Sequence, residues 1–126
     1  MGNFDIDLDF GQVYEKKITK LLKGDGTIEV KTERDIWAET GNAVFEIMCN
    51  GKLSGISTTD ARWWCHVFTV ESDVKFILFI EVSKLRKLIK YLFLNDLAHI
   101  KMGGDNNKSK LVLVRVSELV RFSNKI

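Results

Sequence analysis

No proline occurs among the 126 residues, so turns are signalled by glycine, asparagine and aspartate alone. Cysteine is scarce. Cys49 and Cys65 stand far apart and form no Cys-x-x-Cys pair, which excludes a disulfide framework and fits two reduced thiols in a cytoplasmic protein. The two histidines, His66 and His99, complete no zinc-ligand spacing and show no partner constellation, so neither is assigned a catalytic role. No apolar run approaches the roughly 20 residues that span a bilayer. The longest, around Val74 to Val82, has the length of a strand and is interrupted by Lys75 and Glu81. The acidic start, Met1 to Asp7, lacks the basic, apolar pattern of a signal peptide. Charge of one sign is also lacking. Nineteen Lys and Arg against 17 Asp and Glu leave a net charge of +2, so bulk charge does not announce nucleic acid.

What remains is an ordinary globular composition, 45% hydrophobic and 29% charged, long enough for one domain with a real core over residues 1–126. Asp9 and Gln12 mark a helix start, and Phe10, Val13, Tyr14, Ile18, Leu21 and Leu22 recur at helical spacing, with Lys16, Lys20 and Lys23 opposite. Gly24-Asp25-Gly26 ends that helix. A strand follows from about Thr27 into the mid-thirties, and Thr40-Gly41-Asn42 turns it back into a second strand, Ala43 to Cys49. So short a connection predicts an antiparallel pair. Ser57 to Asp60 offers caps for a short helix through Trp63 and Trp64. Strands over 66–70 and 75–80 flank the turn Glu71-Ser72-Asp73. Ser83 is placed to cap a helix buried along Leu85, Leu88, Ile89, Leu92 and Phe93. After a glycine- and asparagine-rich loop at 103–107, a strand from Leu111 to Val116 and a helical turn from Ser117 to Phe122 close the chain. The order predicts a mixed α/β (α+β) fold, a central mixed sheet flanked by helices.

The informative chemistry lies in two segments. In Ile28-Glu29-Val30-Lys31-Thr32-Glu33, period-two geometry sets Glu29, Lys31 and Glu33 on one face. In Val44-Phe45-Glu46-Ile47-Met48, a single carboxylate interrupts an apolar strand, where an ionised group is costly without a cation or hydrogen bonds. Two carboxylates and a lysine on adjoining strands are what a divalent cation and an activated water need to cut a phosphodiester. The hairpin register decides whether they meet, because a one-residue slip reverses the faces. Asp35 is a substitute acid on the same face, and Glu15 borders the apolar stripe of the first helix. Lys52 and Ser54, in the glycine-punctuated loop 50–56, are candidate phosphate contacts, as are Arg62 and, on the later helix, Lys84 and Lys87. Each has an ordinary alternative as a solvated loop or helix face. Trp63 and Trp64, being consecutive, cannot both face one core. Base stacking and a subunit interface are the functional alternatives to packing.

These segments together resemble the PD-(D/E)xK nuclease superfamily, particularly its small phage-encoded, junction-resolvase-like members. The likeness rests on Gly11-Gln12-Val13-Tyr14-Glu15, on Glu29-Val30-Lys31-Thr32-Glu33, on Thr40 to Glu46, and on Gly51-Lys52-Leu53-Ser54-Gly55-Ile56-Ser57-Thr58-Thr59-Asp60-Ala61 with the aromatic pair after it. It covers residues 11 to about 68. The resemblance implies a restriction-endonuclease-like mixed sheet, Mg²⁺ or Mn²⁺, and hydrolysis of DNA, with junction resolution or phage-DNA processing in the host cytoplasm as its setting. By position, Glu33 and Glu46 become the metal carboxylates, Lys31 a displaced catalytic lysine, and Glu15 the helix acid. The usual lysine position, two residues after the second acid, holds Met48, and the first acid is Glu rather than Asp. A second alignment pairs Glu29 with Lys31 and falls back on Asp25. A homodimer with paired sites is expected. The competing expectations are a non-catalytic nucleic-acid-binding module on the same fold, and a homo-oligomeric interaction protein joined through Trp63 or Trp64.

Overall fold

The computed structural model describes residues 27–125, together with Gln12, Val13, Lys16 and Lys20, which are helical and exposed. The rest of the expected first helix, including Glu15, lies outside the described residues. Over residues 27–125 the fold is α+β, with two sheets and three α-helices. Strands β1 (Ile28–Arg34), β4 (Trp63–Val70) and β5 (Asp73–Glu81) form one mixed sheet in the order β1-β4-β5. The other is antiparallel, in the order β3-β2-β7-β6, from β2 (Asn42–Cys49), β3 (Lys52–Leu53), β6 (Ala98–Gly103) and β7 (Ser109–Arg115). Helices α1 (Ile36–Thr40), α2 (Val82–Leu94) and α3 (Val116–Phe122) connect and cover them. Among the described residues no helix is long and apolar enough to cross a membrane.

The expected β1–β2 hairpin does not form, and with it goes the single central sheet. β1 runs parallel to β4, Ile28 opposite Trp63 and Arg34 opposite Thr69. The reason lies in the connection. Asp35 leaves the strand at φ 36°, and one helical turn follows, closed by Gly41 at φ 76° with its N–H on the Trp37 carbonyl. Trp37 anchors that turn. Its indole N–H donates to the Thr69 carbonyl at 2.8 Å, and its ring meets Phe68 and Phe76 edge-on at 5.2 and 5.3 Å. The chain is thereby carried out of the first sheet, and β2 pairs instead with β7 and β3.

Trp63 and Trp64 are in strand, not in the expected short helix. The nearest helical geometry is a 3₁₀ turn, Gly55–Ser57, just ahead of that segment. Successive residues of a strand face opposite sides. Trp64 shares the inner face with His66 and Phe68, while Trp63 stacks on Phe79 across the outer face, 5.1 Å between centroids. Both indoles are buried, so neither offers a base-stacking surface.

β5 runs into α2 without a loop. The helix is preceded by Glu81 in extended conformation, so Ser83 falls inside the first turn rather than capping it. Val82, Leu85, Leu88, Ile89 and Leu92 form its buried stripe, whereas Phe93 is 44% exposed. This stripe joins Ala43 and Phe45 of β2, Trp64 and Phe68 of β4, Val112 and Val114 of β7, and Leu119 of α3 in one core.

Candidate active site

The alternation of β1 has an unusual sense. Its register on β4 sets Glu29, Lys31 and Glu33 opposite Trp64, His66 and Phe68, on the side of the sheet that carries the core aromatics. Ile28 and Val30 point outward and are exposed. Charges on the inner side of an edge strand discourage further strand pairing, and here they also turn towards the second sheet. Glu33 reaches it. Its Oε1 accepts the backbone N–H of Val44 on β2, and His66 Nε2 stands 3.0 Å from the same oxygen. β3 covers only Met48 and Cys49 of β2, so the Val44 N–H lies on an otherwise open edge, and the carboxylate supplies the acceptor that a neighbouring strand would have provided.

Glu46 lies on the same strand. Its Oε1 accepts the Ser109 hydroxyl of β7 at 2.8 Å. The strand is bulged between Glu46 and Met48. Glu46 pairs with Leu111 and Met48 with Lys110, and since paired residues share a face while neighbours oppose, the bulge turns Met48 away from Glu46. The residue two positions beyond this acid therefore does not stand beside it. Gly55 presses on Glu46 from the loop that follows β3, at φ +55°.

Lys31, Thr32 and Glu33 of β1, Val44 and Glu46 of β2, Gly55, Trp64 and His66 of β4, and Leu111 of β7 line one pocket of about 270 Å³ in the seam between the sheets. Lys31, Glu33 and Glu46 thus meet at one cavity, by a route other than the expected hairpin. Among the described residues no three His, Cys, Asp or Glu side chains gather as a ready-made metal cage. Mg²⁺ does not require one. It keeps several waters and takes one or two carboxylates plus substrate oxygens, and among the described residues neither Glu33 Oε2 nor Glu46 Oε2 receives a hydrogen bond. Two carboxylates on one pocket are oxygen donors of the kind that a partly hydrated divalent cation takes.

The other candidates are dispersed. Asp35 is spent on structure, its Oδ1 accepting the Glu71 N–H at 2.7 Å. Glu29 is half-buried and does not line the pocket, and Asp25 lies outside the described residues. Lys52 is exposed on β3. Ser54 is half-buried, its N–H bonded to the Ile47 carbonyl and its Oγ enclosed without a partner among the described residues. The N–H groups of Ser57, Thr58 and Thr59 are likewise spent within the loop, so its backbone offers little to a phosphate. Arg62 is exposed beside the Trp63 ring, and Lys84 and Lys87 are exposed on α2. None of these five lines the pocket.

Two members escaped the sequence reading, His66 and Ser109. Their partners are 33 and 63 residues distant. The one local signal was the spacing Trp64-x-His66, which places an indole donor and an imidazole on the same face of a strand. His99 belongs elsewhere, lining a separate pocket with Asp96, Arg115 and Glu118. Among the titratable groups, the Cys65 thiol is pushed above its ordinary value by burial. Compared with known protein families, curated proteins and solved structures, the chain matches none.

Proposed function

We propose that the seam pocket is the active site of a divalent-metal-dependent DNA endonuclease. One observation carries the reading: Lys31, Glu33 and Glu46, drawn from two different sheets, line the same cavity. Glu33 and Glu46 are the residues that would hold Mg²⁺ or Mn²⁺. When bound, the cation supplies Lewis-acid stabilisation of phosphate charge and acidifies a water. Lys31 is exposed at the pocket, where its ammonium group balances negative charge that builds on the phosphate oxygens during attack. The neighbouring Trp64 and Leu111 keep one wall apolar, which strengthens that electrostatic interaction.

The resemblance to the PD-(D/E)xK superfamily supports this reading through its residues. The restriction-endonuclease-like arrangement would place both acids in one sheet, whereas here they stand on two, so the pocket carries the argument and the topology does not. The bulge removes one objection, since a lysine at position 48 would face away from Glu46. Substrates of the junction or phage-processing kind, and a homodimer presenting two pockets to them, belong to the same proposal.

The decisive assay incubates the purified protein with branched, linear duplex and single-stranded DNA, with Mn²⁺ or with EDTA. Metal-dependent cutting that disappears in Glu46→Gln, while the variant still unfolds cooperatively, supports the enzyme. Undiminished cutting by Glu46→Gln removes that residue from the mechanism. A second reading, the non-catalytic nucleic-acid-binding module, is favoured by the position of Lys52, Lys84 and Lys87, exposed and apart from the pocket. It predicts DNA binding that survives EDTA and no cleavage of any substrate.

A further inference from the structure

The inner wall of the pocket holds an imidazole that this chemistry leaves without a task. His66 is 1% exposed, and both of its ring nitrogens are engaged. The indole N–H of Trp64, itself 1% exposed, lies 3.0 Å from Nδ1. An indole nitrogen can only donate, so Nδ1 must present its lone pair and the ring proton sits on Nε2. Nε2–H then donates to Glu33 Oε1 at 3.0 Å. The contact is a hydrogen bond from a fixed tautomer to a carboxylate. The chain of donors runs one way, from indole to imidazole to carboxylate.

Glu33 Oε1 also takes the Val44 N–H, so two donors from two sheets converge on one oxygen. Two bonds at one oxygen fix the carboxyl plane and hence the direction of the other. Among the described residues no donor reaches Oε2, and Glu33 lines the cavity shared with Lys31 and Glu46. A simple packing role explains this poorly. Apolar rings would fill the same volume without two buried polar nitrogens that must be matched. Phe68, the next inward residue of β4, is such a ring.

We infer that Trp64 and His66 are positioning residues that lock Glu33 by Oε1 so that Oε2 is the oxygen offered to the divalent cation. This rests on the cation-binding reading of the pocket. Ligating carboxylates are commonly oriented by such outer partners, whose loss costs about 10- to 100-fold in metal affinity or activity. The relay is specific in its order: removing Trp64 frees the tautomer, while removing His66 frees the carboxylate.

The test uses the full chain and two readouts. Side-chain ¹⁵N NMR of the wild-type protein should show His66 protonated at Nε2 and bare at Nδ1, with the tautomers mixing in Trp64→Phe. Mn²⁺ titration by calorimetry compares wild type with His66→Gln, whose amide keeps a donor near the Nε2 position, and with His66→Phe, which keeps a ring without one. Affinity should stay within about threefold in His66→Gln and fall about tenfold or more in His66→Phe. A wild-type His66 protonated at Nδ1, or His66→Phe binding Mn²⁺ as tightly as wild type, overturns the positioning role and leaves the cation site standing. Wild type that takes up no Mn²⁺ removes the cation site and the positioning role together. If His66→Phe does not fold, the wild-type tautomer and the His66→Gln affinity decide, and a tenfold loss in His66→Gln counts against the relay.

Discussion

Gly55 lies directly against the backbone of Glu46: a Cβ at that position would collide with the Glu46 carbonyl oxygen and stand 3.1 Å from the Glu46 Cβ. The loop after β3 closes on the acid-bearing strand through a contact that only glycine permits, and its φ of +55° sets the same requirement independently. Gly55→Ala should therefore destabilise the fold by about 3 kcal/mol, combining left-handed strain with displacement of backbone. Urea denaturation with an unchanged slope and a lowered midpoint is the expected result. A midpoint equal to wild type would mean that the loop yields freely and does not shape the pocket.

The position of the lysine gives a sharper test. Lys31→Ala should reduce turnover more than DNA affinity, and an equal loss in both would make Lys31 a plain phosphate contact. Adding Met48→Lys to that variant should restore nothing. The β2 bulge points residue 48 to the face opposite Glu46, so an ammonium group there does not enter the pocket. Recovery of cleavage in the double variant would show that the strand can straighten.

In the proposed site Glu33 serves both fold and chemistry, and two substitutions separate the roles. Glu33→Gln keeps an oxygen for the Val44 N–H and the His66 Nε2–H but gives up the charge. Glu33→Ala leaves both donors unmatched inside the seam. Each unmatched donor costs about 1–3 kcal/mol, so Glu33→Ala should be the less stable by roughly that amount or more. Mn²⁺ uptake should be lost in both. Equal stabilities would show that water replaces the carboxylate at the Val44 edge.

Cys65 is partly buried on the outer side of β4, and burial raises its thiol above the ordinary value. A raised thiol holds less thiolate at any given pH, and thiolate is the reactive form. Alkylation of Cys65 by iodoacetamide at mildly alkaline pH should be slower than that of a short cysteine peptide, and its rate-against-pH midpoint should lie higher. A rate matching the peptide would place the thiol in full contact with solvent.

Elements held together locally could be read directly. The α2 stripe Leu85, Leu88, Ile89 and Leu92 follows from helical spacing, and β4 and β5 flank a turn at Glu71-Ser72 whose residues adopt positive φ. The face shared by Lys31 and Glu33 follows from period two. The partners of those strands were not legible. Hydrogen bonding of Ile28 to the Trp63 neighbourhood, or of β2 to β7, is decided by the whole core and leaves no mark on the nearby sequence. Trp37 decided the fate of the expected hairpin, and its role depends on Phe68, Thr69 and Phe76, none of them close in sequence. Trp63-Trp64 was expected in a short helix and stands in a strand, where cross-strand stacking on Phe79 holds the outer indole. β6 went unread because its alternating residues are mostly exposed on an edge. The convergence of Lys31, Glu33 and Glu46 was anticipated while its scaffold was not, because one apolar interior can be approached by two sheets as readily as by one.

The turn anchored by Trp37 is the tether between the strand that carries one acid and the strand that carries the other. The gap between the acids is thus governed by how firmly two layers are docked rather than by the spacing of hydrogen-bonded neighbours within a layer. Selection on the shape of the cavity that both acids line would then act at a distance, through aromatic side chains such as Trp37, Phe68 and Phe76 that do not line it.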